Sequence, residues 1–159
     1  MAVIIPCAGQ SSRYPGTRPK FLLTVADGDC LFEKAAKPYI EQTDVHIAIL
    51  KEHAQQYDAE LAIKKAFARR DNVHVHVLDE PTSGPAETVY KIAAKLDEEP
   101  IFIQDCDSFF TAPLKKDNHV CIVDEKNAKY LDKNIHTLPA GDDETFEKIK
   151  NYIKGPKLN

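Results

Sequence analysis

The hydrophobic pattern of the chain alternates between short apolar runs and longer stretches of helical periodicity. The first run, Val3-Ile4-Ile5, is apolar without alternation, as expected of a strand that is buried on both faces and lies centrally in a sheet. Strands that alternate with helices predict an α/β fold, here a three-layer α/β/α sandwich around a mostly parallel or mixed sheet. The predicted strands are Ala2–Pro6, Val45–Leu50, Val73–Leu78, Ile101–Gln104 and Val120–Val123.

Segments between and after these strands carry apolar residues at helical spacing. In one of them Leu61 and Ile63 face the predicted core, while Lys64 and Lys65 are left for solvent. Pro85 suits the first turn of another helix, because its missing N–H has no intrahelical partner at that position. The predicted helices are Leu31–Ile40, Ala54–Arg69, Pro85–Leu96 and Glu144–Ile153.

Composition and charge describe one globular domain. The 159 residues are enough to bury a core, and the formal charge of -4 gives no general attraction to nucleic acid or to an anionic membrane. No stretch reaches the ~20 apolar residues of a membrane span, and the N-terminus lacks the basic leader of a signal peptide. The four cysteines are scattered singly, without a CxxC pair. We therefore expect a single cytoplasmic domain over residues 1–159, bound to neither nucleic acid nor membrane, with its oligomeric state left open.

The loop after the first predicted strand consists largely of small residues. Its sequence, PCAGQSSR over residues 6–13, allows backbone N–H groups to approach a phosphate closely. Arg13 and Lys20 add two cations near this loop. The spacing is neither GxGxxG nor GxxxxGK[ST], so the loop does not indicate a dinucleotide-binding fold or a P-loop NTPase.

Two consecutive segments resemble the signature of the sugar-phosphate nucleotidylyltransferases. They are IPCAGQSSR over residues 5–13 and PKFLL over residues 19–23, which match an Ala-Gly loop that ends in Ser/Thr-Arg and a later Pro-Lys before an apolar pair. Residues 80–89 are similar to the family's base-recognition turn, residues 102–109 to its metal-binding strand end, and residues 139–147 to its late helix opening. The likeness is good over residues 1–124, and it points to the branch that serves sugar-nucleotide and polysaccharide biosynthesis.

The resemblance implies a Mg²⁺-dependent transfer of a nucleoside monophosphate from a nucleoside triphosphate to a sugar 1-phosphate or small alcohol phosphate. It implies catalytic roles for Arg13 at the departing phosphates, for Lys20 at the α-phosphate and acceptor phosphate, and for Asp107 as a magnesium ligand. Asp105 is the second candidate ligand of the metal. The nucleotide-binding residues that it implies are Ala8, Gly9, Gln10, Ser11, Ser12, Glu80 and Gly84.

Within the single domain, the resemblance implies a nucleotide-binding core over residues 1–124 and a C-terminal helix within residues 139–159. The acceptor region between them, residues 125–138, is short for the family. This departure keeps open a non-catalytic nucleotide-binding module of the same fold.

A glycosyltransferase that uses a nucleotide sugar is a further alternative, because Asp105-Cys106-Asp107 also has the form of an Asp-x-Asp metal motif. The loop with Arg13 and Lys20 argues against it, since a glycosyltransferase has no need of that pattern. His74 and His76 share one face of a predicted strand, which we interpret as a half-exposed strand face rather than as a metal site.

Overall fold

The computed structural model describes residues 1–10, 16–97, 100–108, 111–116, 119–123 and 135–139. Contacts within the chain divide it into two compact units, Met1–Phe109 and Phe110–Asn159. The first unit holds most of the predicted elements.

Four parallel strands form the sheet of the first unit, and they agree closely with the predicted ones. The strands are β1 (Ala2–Pro6), β2 (Asp44–Leu50), β3 (Val73–Leu78) and β4 (Ile101–Ile103), in the spatial order β3-β2-β1-β4. β1 pairs with β2 on one side and with β4 on the other, so that Ala2 lies opposite both Asp44 and Ile101. Its side chains from Ala2 to Ile5 are wholly buried. The prediction of a central first strand is confirmed.

The helices of the first unit are α1 (Leu31–Ala36), α2 (Lys51–Tyr57), α3 (Ala59–Ala66) and α4 (Pro85–Ala93), together with a 3₁₀ helix at Lys20–Leu22. The prediction of a single helix over Ala54–Arg69 is wrong, because the helix is interrupted at Asp58. That residue adopts the left-handed conformation, with φ 51° and ψ 34°. Aspartate tolerates this conformation better than most residues, because its short side chain can hydrogen-bond locally. The helix predicted over Glu144–Ile153 lies outside the described residues.

Both faces of the sheet are covered. Ala48 and Leu50 of β2 belong to a core cluster with Val89 and Ile92 of α4. The alternate positions of β2, at Val45, Ile47 and Ile49, are also wholly buried. Because successive strand residues point to opposite faces, helices must cover the sheet on both sides, which confirms the α/β fold.

The second unit contains an antiparallel pair of strands, β5 (His119–Val123) and β6 (Ile135–Pro139), with Val120 opposite Leu138. β5 was expected from its apolar run. β6 was not, because its sequence, IHTLP, lacks the apolar and polar alternation of a strand and follows a long polar stretch. None of the helices in the described part of the chain has the length and apolar character needed to cross a membrane.

Three histidines meet on the face of the sheet that α4 covers. His46 of β2 lies opposite His74 of β3, and their rings stack with centroids 4.8 Å apart. His46 Nδ1 lies 2.9 Å from His76 Nε2, a hydrogen bond in which one nitrogen donates and the other accepts. Among the residues that the structure describes, no group of three or more His, Cys, Asp or Glu side chains is arranged to hold a metal.

We predict that the free energy of unfolding falls as the pH drops from about 6.5 to about 4. Burial, with the neighbouring charge of His46, lowers the pKa of His76 from 6.5 to about 4. In that pH window the unfolded chain takes up a proton that the folded protein does not, and so the unfolded state gains stability. Denaturant titrations across this range should show the loss, and His76→Gln should reduce it. If the free energy of unfolding depends on pH equally in wild type and His76→Gln, the assignment to His76 is wrong. His74→Gln is the control, because the side chain of His74 is half-exposed.

Candidate active site

Two chain segments of predicted function leave the sheet side by side. β1 and β4 are parallel neighbours, and the N–H of Gln104 donates to the carbonyl of Ile4 at 3.0 Å, one residue beyond the end of β4. The small-residue loop therefore begins at the same edge as the turn that carries Asp105 and Asp107. This is the carboxyl edge of the strands, where ligands bind in open α/β sheets.

The loop itself begins buried and becomes exposed. Cys7 and Ala8 are 2% and 5% exposed, whereas Gly9 and Gln10 are exposed. Among the described residues, an added Cβ on Gly9 would meet no atom within 4 Å, and the Gly9 backbone is not in the left-handed conformation. The packing of the described residues thus gives no reason for a glycine at this position, whereas a ligand that approaches the backbone would give one.

Lys20 reaches this edge from the 3₁₀ helix. The next residue, Phe21, is buried, with its ring 5.5 Å from that of His53, and Leu22 is buried beside it. The N–H of Leu22 donates to the carbonyl of Pro19 at 2.9 Å, which closes the turn. Two apolar anchors and one tight turn therefore fix the backbone from which the charged side chain extends.

The ammonium of Lys20 donates to the Oδ2 atom of Asp107, across 87 residues of sequence. The two side chains are 49% and 39% exposed, so this ion pair faces solvent. The pairing brings together two of the three residues for which the family resemblance implies a catalytic role. The third, Arg13, lies outside the described residues, as do Ser11 and Ser12.

Two thiols accompany this ion pair. Burial raises the pKa of Cys7 well above its usual value. A hydrogen bond with Cys7, assisted by the positive charge of Lys20, lowers the pKa of Cys106. The ends of β1 and β4 thus interact through side chains as well as through the backbone.

The turn before α4 lies at the same edge, because β3 runs parallel to β1. Glu80 is exposed there, and Gly84 precedes the first residue of α4 in an extended conformation. The Glu87 carboxylate accepts hydrogen bonds from the N–H and the hydroxyl of Ser83, both at 2.7 Å. These bonds and the ammonium of Lys91 lower the pKa of Glu87 to about 2. The carboxylate therefore remains ionised and fixes the turn that presents Gly84.

The carboxylates of Asp105 and Asp107 suit a hard divalent cation. The ammonium of Lys20 already occupies one position beside Asp107, which shows that a positive charge is accommodated there. Within the described part of the chain no third carboxylate, histidine or cysteine completes a ligand set. These donors fit Mg²⁺, which commonly takes one or two carboxylates and fills the rest of its shell with phosphate oxygens and water.

The sequence did not single out Gln104 beyond its place at a strand end. This residue is wholly buried, and its amide hydrogen-bonds to the carbonyls of Asp105 and Ser108 at 3.2 and 2.7 Å. The sequence feature that could have identified Gln104 is its position as a polar residue at the end of an otherwise apolar strand, directly before Asp105 and Asp107. The roles of the other predicted site residues stay predictions, although the structure describes Ala8, Gly9, Gln10, Glu80, Gly84 and Asp105 at this edge.

The chain is similar to a known protein family and to a solved structure. Residues 3–116 match the family model of the MobA-like NTP transferase domain, a range that includes the loop, Lys20 and Asp107. A search of curated protein sequences gives no match. Among solved structures, the nucleoside-diphosphate-sugar pyrophosphorylase from Vibrio cholerae RC9 is similar, with a TM-score of 0.56 and 18% sequence identity. The alignment covers 97% of this chain and 79% of that one, and at this identity it demonstrates a shared fold.

We predict that Glu87→Ala exposes the Ser83 amide to hydrogen exchange. The protection factor should fall by about tenfold, the scale expected when one cap hydrogen bond at a helix N-terminus is lost. Glu60→Ala is the matched control, because Glu60 also pairs with a lysine four residues later but caps no turn. Hydrogen exchange followed by NMR measures both variants. Unchanged protection of Ser83 in Glu87→Ala would contradict the capping role.

Proposed function

Because this chain belongs to the family of MobA-like NTP transferase domains, we propose that it transfers a nucleoside monophosphate to a sugar 1-phosphate or a similar small alcohol phosphate. The family resemblance drawn from the sequence is thereby confirmed, and with it a nucleotidyltransferase type of domain. The sugar-phosphate acceptor is proposed from the sequence resemblance, and the assembly of the site is supported chiefly by the contact between Lys20 and Asp107. That contact joins two distant segments at the carboxyl edge of the sheet.

The proposed reaction forms one bond and breaks another. An oxygen of the acceptor phosphate attacks the α-phosphorus of the nucleoside triphosphate, and the bond from that phosphorus to the bridging oxygen breaks, so that pyrophosphate leaves. Both reactants are anions, and catalysis of such a step consists mainly of positioning and charge neutralisation. In this proposal Lys20 leaves Asp107 and neutralises the α-phosphate and the acceptor phosphate together. Arg13 would neutralise the departing phosphates.

We propose that Asp107, with Asp105 as the second carboxylate, holds Mg²⁺ when nucleotide is bound. The bound ion would neutralise phosphate oxygens. Asp107 is suited to this because its present partner is a single exposed ammonium group rather than a buried network, and exposed ion pairs contribute only about 0 to 1 kcal/mol. Exchange of one cation for another at this carboxylate therefore costs little.

The nucleotide would lie along the edge between the small-residue loop and the start of α4. The backbone of residues 8–10 would contact it from one side, and Gly84 with Glu80 from the other. Ser11 and Ser12 would add N–H groups for the phosphates.

We expect the reaction to take place in the cytoplasm.

A glycosyltransferase is less well supported, because its Asp-x-Asp motif gives no role to a lysine from the N-terminal part of the chain. A non-catalytic nucleotide-binding module is the third candidate function, since the acceptor region over residues 125–138 is short. The assay that separates the three functions measures pyrophosphate release from each common nucleoside triphosphate. Sugar 1-phosphates, glycerol phosphate and choline phosphate serve as acceptors.

We predict that Lys20→Ala lowers kcat by about 10² to 10³, the scale of removing one charge-stabilising donor from a transition state. The nucleotide dissociation constant, measured by calorimetry, should change far less, because Lys20 acts mainly after binding. Lys64→Ala is the control, since Lys64 is also an exposed lysine in an ion pair with a carboxylate, on α3.

Two outcomes would count against the proposal. Nucleotide binding without pyrophosphate release from any acceptor would leave a binding module and remove the enzyme. Consumption of a nucleotide sugar with release of a nucleoside diphosphate would favour the glycosyltransferase.

We predict that Gly9→Ala leaves the free energy of unfolding unchanged but raises the nucleotide dissociation constant by about tenfold, which corresponds to about 1.4 kcal/mol. The added methyl group meets no atom of the described residues, so in this proposal its cost arises when a ligand lies against the backbone. Gly28→Ala should behave in the opposite way, because Gly28 has φ 91° and an alanine is strained there. Calorimetry and denaturant titration of both variants test this contrast. Equal nucleotide affinity of Gly9→Ala and wild type would exclude close approach at this loop.

A further inference from the structure

One buried side-chain amide holds the turn that carries Asp107. Gln104 is 0% exposed, and its Nε2 group donates to the carbonyl of Asp105 at 3.2 Å and to the carbonyl of Ser108 at 2.7 Å. The N–H of Ser108 also donates to the carbonyl of Asp105, at 3.4 Å. The backbone on both sides of Asp107 is thus tied to the same side chain.

The network determines which way the amide faces. Both acceptors in the turn are carbonyl groups, so they require the NH₂ end of Gln104 and exclude its oxygen. The oxygen Oε1 accepts instead from the hydroxyl of Tyr39, at 3.0 Å. Tyr39 is also 0% exposed, and its ring lies 5.3 Å from that of Phe102. No other side chain of similar length offers two donors and an acceptor in this arrangement without a charge.

We propose that Gln104, oriented by Tyr39, is a positioning residue that sets the turn over residues 105–108 so that Asp107 faces Lys20 at the carboxyl edge of the sheet. This inference rests on the proposed function, and it adds to it a residue that touches neither substrate nor metal. Gln104 acts through Asp107, whose backbone it fixes.

Burial explains why the amide has this control. Gln104 is wholly buried, and a buried amide whose N–H groups lack an acceptor costs roughly 1 to 3 kcal/mol, so the turn keeps the conformation that places both carbonyls against that amide. The side chains of Asp107 and Lys20 are themselves exposed, so the buried amide lies beneath the turn and not in the ion pair. A displacement of about 1 Å at reacting groups can cost about 10²-fold in rate, so a turn held in one conformation matters for catalysis.

The test uses Gln104→Leu, Tyr39→Phe and the double variant in the full chain. Gln104→Leu should lower kcat for pyrophosphate release by about tenfold or more, while the KM for nucleotide changes by less than about threefold. Tyr39→Phe should lower kcat less, and the two effects should be less than additive in the double variant, because the hydroxyl and the amide belong to one network. Titration with MnCl₂ by calorimetry should show weaker Mn²⁺ binding in Gln104→Leu, independently of turnover.

Ile63→Val is the control for stability, because Ile63 is a wholly buried residue of α3. If Gln104→Leu loses stability like this control and retains kcat and Mn²⁺ affinity per folded molecule, Gln104 has only a structural role and the inference is wrong. A wild-type protein that releases no pyrophosphate overturns the proposed function instead. The Mn²⁺ titration then decides the inference alone, and equal titration curves for wild type and Gln104→Leu overturn it.

Discussion

The pairing of β1 on both of its edges is the constraint on which the site depends. A parallel ladder aligns the carboxyl ends of neighbouring strands, so the loop after β1 and the turn after β4 have to emerge together. The complete burial of the first strand makes this arrangement difficult to shift. The ladder also sets the register of the site, because Ala2 lies opposite both Asp44 and Ile101.

The same constraint explains how distant residues form one site. Lys20 is placed by apolar neighbours in a short 3₁₀ helix, and Asp107 by a buried amide beneath its turn. Neither charged side chain is buried itself. The proposed site thus consists of exposed groups on backbone that buried residues hold in position, as is usual for binding loops on a rigid scaffold.

Most of the strands could be predicted from sequence, because a strand buried on both faces leaves an uninterrupted apolar run such as that of β1. The break between α2 and α3 could not, since the periodicity of the two helices continues across Asp58 and no glycine or proline marks the turn. Likewise, the sequence identified Asp107 through a family motif but gave no role to Gln104. Its function depends on two backbone carbonyls and on Tyr39, which is 65 residues away.

The weakness of the ion pair between Lys20 and Asp107 fits its place in the site. Two exposed charges gain at most about 1 kcal/mol from pairing in water, so the pair cannot be what holds the two segments together. The buried anchors of each segment hold them, and they continue to do so when the charges separate. In the proposed reaction a phosphate would take Lys20 and a metal ion would take Asp107, while the buried anchors stay in place. The proposed site would thus be arranged before its ligands arrive, and its exposed charges would change partners.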